Sequence, residues 1–229
     1  MLSPFQEDIA RLLSTLGEAD GFALAGGAAL IARGIVDRGT GDLDFFGRES
    51  AAVDRLAPAF ERAMRSAGIS VARLRVAPGF VRFELTRGEQ RCEVDLGYDA
   101  RLWPLQQTPL GPTIGDDELA ADKTLALFGR AAARDYIDVH ALARRHGEPR
   151  LLELAAAKDR GFSAAHLADA LQAIDRLDRE QFETDDDTYR DIRAWALQWS
   201  QEIIGVDTGR TQPRSPRQPP PDAGPDLGL

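Results

Sequence analysis

Residues 81–99, VRFELTRGEQRCEVDLGYD, alternate between apolar and polar side chains on both sides of a short turn. Val81, Phe83 and Leu85 oppose Arg82, Glu84 and Thr86; past Arg87-Gly88-Glu89-Gln90, Cys92, Val94 and Leu96 oppose Arg91, Glu93 and Asp95. A period of two puts one set on each face of a strand, so this stretch reads as a hairpin with one buried and one wet face. The wet face carries Asp95. VARLRV, 71–76, is a further strand candidate.

Before the hairpin, apolar residues recur at helical spacing over 4–19 (Phe5, Ile9, Leu12, Leu13, Leu16) and again over 51–67, which stops at Ala67-Gly68. Between these helices lie a short strand at 22–26 (FALAG), a helix near 28–34 opened by Gly26-Gly27, the loop VDRGTG and the strand DLDFF. After TPLGPTIGDD the pattern turns helical: 117–129, 134–146, 149–158, 163–178 with Ser163 as N-cap, and 187–203. The expected fold is α+β, with a mixed-sheet core over 1–116 and a helical part over 117–206. Residues 207–229 form a Pro-rich tail expected to be disordered with polyproline II character; "PRSPRQPPP" within it is either a docking segment or a solvated tail.

The bulk numbers remove several function classes. No run of 18 apolar residues is present, and MLSPFQEDIARLLSTL has no basic leader, so neither a membrane span nor a secretory signal is expected. A single cysteine excludes an intramolecular disulfide framework and points to the cytoplasm. A net charge of −9 and a pI near 4.9 argue against a uniformly basic nucleic-acid binder. Arg73, Arg75, Arg82, Arg87 and Arg91 can still form a local patch. Lysine occurs only at 123 and 158. His140, His146 and His166 lack zinc spacing, Cys92 reads as core, and Trp195 and Trp199 read as packing residues.

Asp42 and Asp44 flank Leu43 in a strand, so both carboxylates leave one face. With Asp95 from a neighbouring strand, three carboxylates converge. Their repulsion calls for a divalent cation, and oxygen donors favour Mg²⁺ or Mn²⁺. Asp-x-Asp alone is common, and wet strand faces carry acids for solubility. Gly26-Gly27 between a strand and a helix adds a backbone that a phosphate can approach closely, although a tight turn needs the same glycines.

The order strand, Gly26-Gly27, helix, Asp42-Leu43-Asp44 resembles the nucleotidyltransferase superfamily with a DNA polymerase β-like fold. The fuller pattern LAGGAALIARG…TGDLDFFG and residues 119–142, LAADKTLALFGRAAARDYIDVHAL, resemble the AbiEii/AbiGii toxin family over roughly 20–145. Two departures stand out: Ala28 replaces a common threonine, and residues 28–41 make a longer gap than many members have.

The resemblance implies a metal-dependent nucleotidyltransferase, a toxin of a type IV toxin–antitoxin system. It implies metal ligands Asp42, Asp44 and Asp95 with Mg²⁺ or Mn²⁺, and catalytic residues Asp42, Asp44, Lys123 and Asp138. Nucleotide contacts would come from Gly26, Gly27, Lys123, Arg130 and Arg134. Asp135 competes with Asp138 as the functional acid. On a continuous helix Lys123, Leu127 and Arg130 share a face, and Arg134 can pair with Asp138; Gly129 is a potential break. A surface helix with i,i+4 ion pairs explains the same charges without function. The implied partners are an NTP, an RNA (tRNA 3′ ends in particular) or protein acceptor, and a cognate antitoxin. A small-molecule nucleotidyltransferase, such as one acting on an aminoglycoside, and a noncatalytic protein keeping the fold are the alternatives.

Overall fold

The computed structural model describes residues 1–210, with side chains given up to residue 205. Its sheet-bearing part runs α1 (Pro4–Ser14), β1 (Ala23–Ala25), α2 (Gly26–Ala32), β2 (Asp42–Gly47), α3 (Ser50–Ser66), β3 (Ser70–Ala77), β4 (Phe80–Arg87), β5 (Gln90–Tyr98), β6 (Gln106–Thr108) and β7 (Gly111–Thr113). Helices then follow: α4 (Asp116–Arg130), α5 (Ala133–His146), α6 (Glu148–Lys158), α7 (Ala164–Gln172) and α8 (Asp186–Arg210). The architecture is α+β, a mixed seven-stranded sheet followed by a largely helical half.

Strand order is β3-β4-β5-β2-β1-β7-β6. β2 pairs parallel with β5, and β1 parallel with β7; the other neighbours are antiparallel. Alternation decides which face is buried. Leu43 and Phe45 of β2, Phe83 and Leu85 of β4, and Val94 and Leu96 of β5 are all buried. Helix α3 supplies the covering stripe through Val53, Leu56, Phe60 and Met64 at helical spacing, and the Phe60 and Phe83 ring centroids stand 5.3 Å apart. The opposite face carries the carboxylates, and α4 lies beyond it.

Local hydrogen bonds hold the approach to β2. Ser3 and Gln6 form a capping box at the start of α1, and Gln6 Nε2 also donates to the Thr40 carbonyl at 2.8 Å. Tyr136 O–H donates to the Ala170 carbonyl, joining α5 to α7.

Several boundaries differ from the sequence expectation. Helix α1 stops at Ser14 rather than 19, because the Ser14 and Thr15 hydroxyls donate to the Arg11 and Leu12 carbonyls and a 3₁₀ turn, Gly17–Ala19, follows. Gly26 and Gly27 belong to α2 itself. The fourth C-terminal helix passes into a 3₁₀ turn at Ala173–Arg176. A β6–β7 hairpin, which the sequence did not announce, lies just before the helical part; strands of three residues are too short to show alternation. Helix α4 runs through Gly129 and breaks at Ala131, which is left-handed at φ 48°. Helix α8 extends to Arg210, and the rest of the Pro-rich tail lies outside the described residues. Among the described residues no helix is long and apolar enough to cross a membrane.

Because Phe83 is fully buried under α3, Phe83→Ala is expected to destabilise the chain by about 3–5 kcal/mol, read as a lower urea midpoint with an unchanged slope.

Candidate active site

The parallel pairing of β2 with β5 sets Asp44 opposite Asp95 and Asp42 opposite Glu93. Asp42, Asp44 and Asp95 line one cavity of about 310 Å³ together with Gly26, Gly27, Lys123, Arg130 and Arg134. Of the implied site residues, all but Asp138 and its competitor Asp135 therefore border the same space, whereas of the arginine patch only Arg82 does. Those two aspartates sit behind it, fully buried on α5.

Gly26 is needed for this closeness. Its φ is +61°, and a Cβ there would fall 1.9 Å from Asp44 Oδ2. Ala25, just before it, pairs with Asp44 across the β1–β2 ladder. The strand-to-helix turn thus lies directly on the carboxylate. At Gly27 a Cβ would meet Arg38 Nη2 at 2.8 Å. Ala28 is completely buried, so the position where threonine is common points into the core here.

The three acids meet different surroundings. Thr40 Oγ1 donates to Asp42 Oδ1, and Arg134 Nη1 lies 3.9 Å from Asp42 Oδ2. Asp95 has both oxygens occupied by Arg82: Nε to Oδ1 and Nη2 to Oδ2, each 2.7 Å. Asp44 carries the electrostatic load. Burial, then the neighbouring Asp42 and Asp95 charges, push its carboxyl from the ordinary 3.8 up to about 6, against the pull of Lys123 and Arg134.

The α4–α5 segment divides its cations between two aspartates. Asp138 accepts from Arg38 through Nε at 2.7 Å and Nη2 at 2.8 Å, and Lys123 Nζ lies 2.9 Å from Asp138 Oδ2. Asp135 accepts from Arg130 Nε and Nη2 at 2.8 and 2.7 Å, and from the Ala132 N–H. The expected Arg134–Asp138 pair is replaced by these contacts although both residues sit on α5: Asp138 is fully buried and taken by Arg38 and Lys123, while the half-exposed Arg134 reaches toward Asp42.

The sequence reading assigned no role to Arg38, Thr40 or Lys158. Arg38 and Thr40 lie in a Gly-rich loop without periodicity. Lys158 Nζ bonds Asp99 Oδ2 at 2.9 Å, Glu118 Oε1 at 2.6 Å and Asp122, while Glu118 Oε2 accepts the Leu102 and Trp103 N–H groups. Asp99 and Asp122 line the cavity, so Lys158 fixes one of its walls. The rarity of lysine was the only available signal for it.

Among the described residues no three Asp, Glu, His or Cys side chains already stand as a ready metal cage. The donor set nevertheless fits a hard divalent cation: Asp42 and Asp44 present carboxylate oxygens to one cavity, and Asp95 opposite Asp44 adds a third carboxylate. Asp95 already has a guanidinium nitrogen on each of its oxygens, so a cation there meets Arg82 first.

A carboxyl with a raised native pKa costs stability when ionised. That cost is absent below the unfolded value of 3.8, grows as pH rises toward about 6, and is complete above it. In EDTA, Asp44→Asn is therefore expected to stabilise the protein at pH 8 by on the order of 2–3 kcal/mol and to change little at pH 3.5, as read from melting temperatures.

A family model described as "Nucleotidyl transferase AbiEii toxin, Type IV TA system" matches residues 8–217. Among solved structures, MenT4, nucleotidyltransferase toxin Rv2826c from Mycobacterium tuberculosis H37Rv, superposes with a TM-score of 0.60 at 16% identity over 90% of this chain and 84% of that one. JHP933 from Helicobacter pylori gives 0.57 at 19% identity over 92% and 98%. At such identities these two matches speak for the fold. A search of curated protein sequences found no match. With nearly its whole described length covered by the family model, the chain belongs to the AbiEii nucleotidyltransferase toxin family of type IV toxin–antitoxin systems.

Proposed function

We propose that this toxin transfers a nucleoside monophosphate from an NTP to a hydroxyl of an RNA acceptor. The observation that carries this is one cavity bordered by Gly26-Gly27, three aspartates and the cations Lys123, Arg130 and Arg134. Asp42 and Asp44 would hold Mg²⁺ or Mn²⁺, joined by Asp95. A bound cation supplies charge neutralisation and favours in-line displacement at phosphorus. The acceptor hydroxyl attacks the α-phosphate, a new P–O bond forms, and the bond to pyrophosphate breaks. Lys123, Arg130 and Arg134 bind the phosphates and offset charge as it develops. Gly26 and Gly27 leave room for the phosphate chain beside the backbone. Asp138 acts through the two cations it holds, Lys123 and Arg38, and Asp135 through Arg130.

The acceptor is inferred from the neighbouring space. A groove of about 1030 Å³ adjoins the cavity, sharing Arg38, Thr40, Asp42, Arg130 and Arg134 with it, and Arg91 joins its wall. Four arginines against Asp42, Glu93 and Glu183 suit a phosphate backbone. A cationic aminoglycoside would need a wall of acids instead. We place the reaction in the cytoplasm, restrained by a cognate antitoxin.

The test is transfer of label from each α-³²P-NTP, with Mg²⁺, into total bacterial RNA and protein, with Asp44→Ala alongside. Label in RNA that disappears in Asp44→Ala is expected; label confined to protein would reassign the acceptor, and no label from folded protein would remove the RNA reading. Arg91→Glu is expected to reduce RNA labelling at least tenfold at low salt, with the defect narrowing as salt rises and little change in NTP affinity.

A further inference from the structure

We propose that Arg82 is the resident counter-ion of the third carboxylate, and that a divalent cation reaches Asp95 by displacing it. This rests on the nucleotidyltransferase reading above. Arg82 stands directly opposite Asp95 in the β4–β5 ladder, so the sheet register itself delivers the guanidinium to the carboxylate. The pair is bidentate and takes both Asp95 oxygens, which are the atoms a metal ion would need.

The two partners differ in freedom. Asp95 is 7% exposed and fixed in a central strand, whereas the Arg82 side chain is 42% exposed. The half-exposed Arg82 head regains water on leaving, and the incoming cation keeps the buried Asp95 from being left unpaired. Arg82 also has somewhere to go: its Nη1 already lies 3.5 Å from Glu93 Oε2, and the Glu93 side chain is 45% exposed. The single charge of Arg82 faces three carboxylates, those of Asp42, Asp44 and Asp95, on the wall of one cavity. A divalent ion brings more positive charge to the same oxygens. Arg82 lines the cavity, so once displaced it remains beside any phosphate the cavity holds.

Exchange makes Arg82 a competitor of the metal in the nucleotide-free protein. The measurement is Mn²⁺ binding to the full chain without nucleotide, followed by the electron paramagnetic resonance signal of free Mn²⁺. The proteins are wild type, Arg82→Gln, Asp95→Asn and the double variant, each checked for folding by circular dichroism. Arg82→Gln is expected to bind Mn²⁺ about five- to tenfold more tightly than wild type, and the double variant to lose that gain. Arg82→Lys, which keeps the charge but not the fork, is expected to fall between and serves if the glutamine variant does not fold. Equal or weaker binding by Arg82→Gln, or a gain that survives Asp95→Asn, overturns the proposal. If that happens while wild type still transfers label in an Asp44-dependent way, the fault lies with Arg82 alone; if wild type neither binds Mn²⁺ nor transfers label, the nucleotidyltransferase reading falls as well.

Discussion

Like-charge repulsion on one face of a sheet is the constraint around which this molecule is arranged. The parallel register of β2 on β5 puts Asp44 across from Asp95, and strand periodicity adds Asp42 two residues away. The other face of the same strands is committed to the core through Leu43, Phe45, Val94 and Leu96, so the acids cannot be turned outward without exposing apolar surface. The carboxylates must be tolerated where they are. The cations that flank them, Arg82, Lys123 and Arg134, each offset part of the charge, and burial together with the Asp42 and Asp95 charges still keeps the Asp44 pKa raised.

The helical half supplies Lys123 and Arg134, and its buried aspartates hold the neighbouring cations in place. Asp138 grips Lys123 from α4 and Arg38 from the loop before β2, which ties two distant segments to one buried carboxylate. Asp135 does the same for Arg130 while satisfying an N–H at the start of α5. Lys158 inverts the arrangement, one buried cation drawing together Asp99, Glu118 and Asp122. Burial of such groups is costly unless every hydrogen-bonding position is filled, and a filled network fixes side-chain direction. A site built this way is held at a defined geometry before substrate arrives.

Strain collects at the same place. Ala131 and Glu183 are the non-glycine residues with positive φ among those described, and both border the large groove. Ala131 is the break that separates α4 from α5 and so aims Arg134 at Asp42 while Lys123 turns to Asp138. A left-handed alanine costs about 1 kcal/mol or more, tolerated here where it directs two cations to different partners.

Alternation in 81–99 and in DLDFF was enough to determine a sheet with acids on its wet face, and helical periodicity beyond 117 determined the α+β division. Motif order, Gly-Gly then Asp-x-Asp then the lysine helix, carried the family. These are local properties: strand period, helix period and the rarity of glycine pairs depend on neighbours in the chain. The partners of each charge were decided by tertiary structure alone. Arg134 and Asp138 stand four apart on one helix and suggested a pair, yet Asp138 is buried against Arg38 and Lys123 while the half-exposed Arg134 reaches toward Asp42. Arg38 lies 100 residues from Asp138 in the chain, and Lys158 is far from Asp99. Coulomb energy depends on distance in space and on burial, and neither is written in sequence separation.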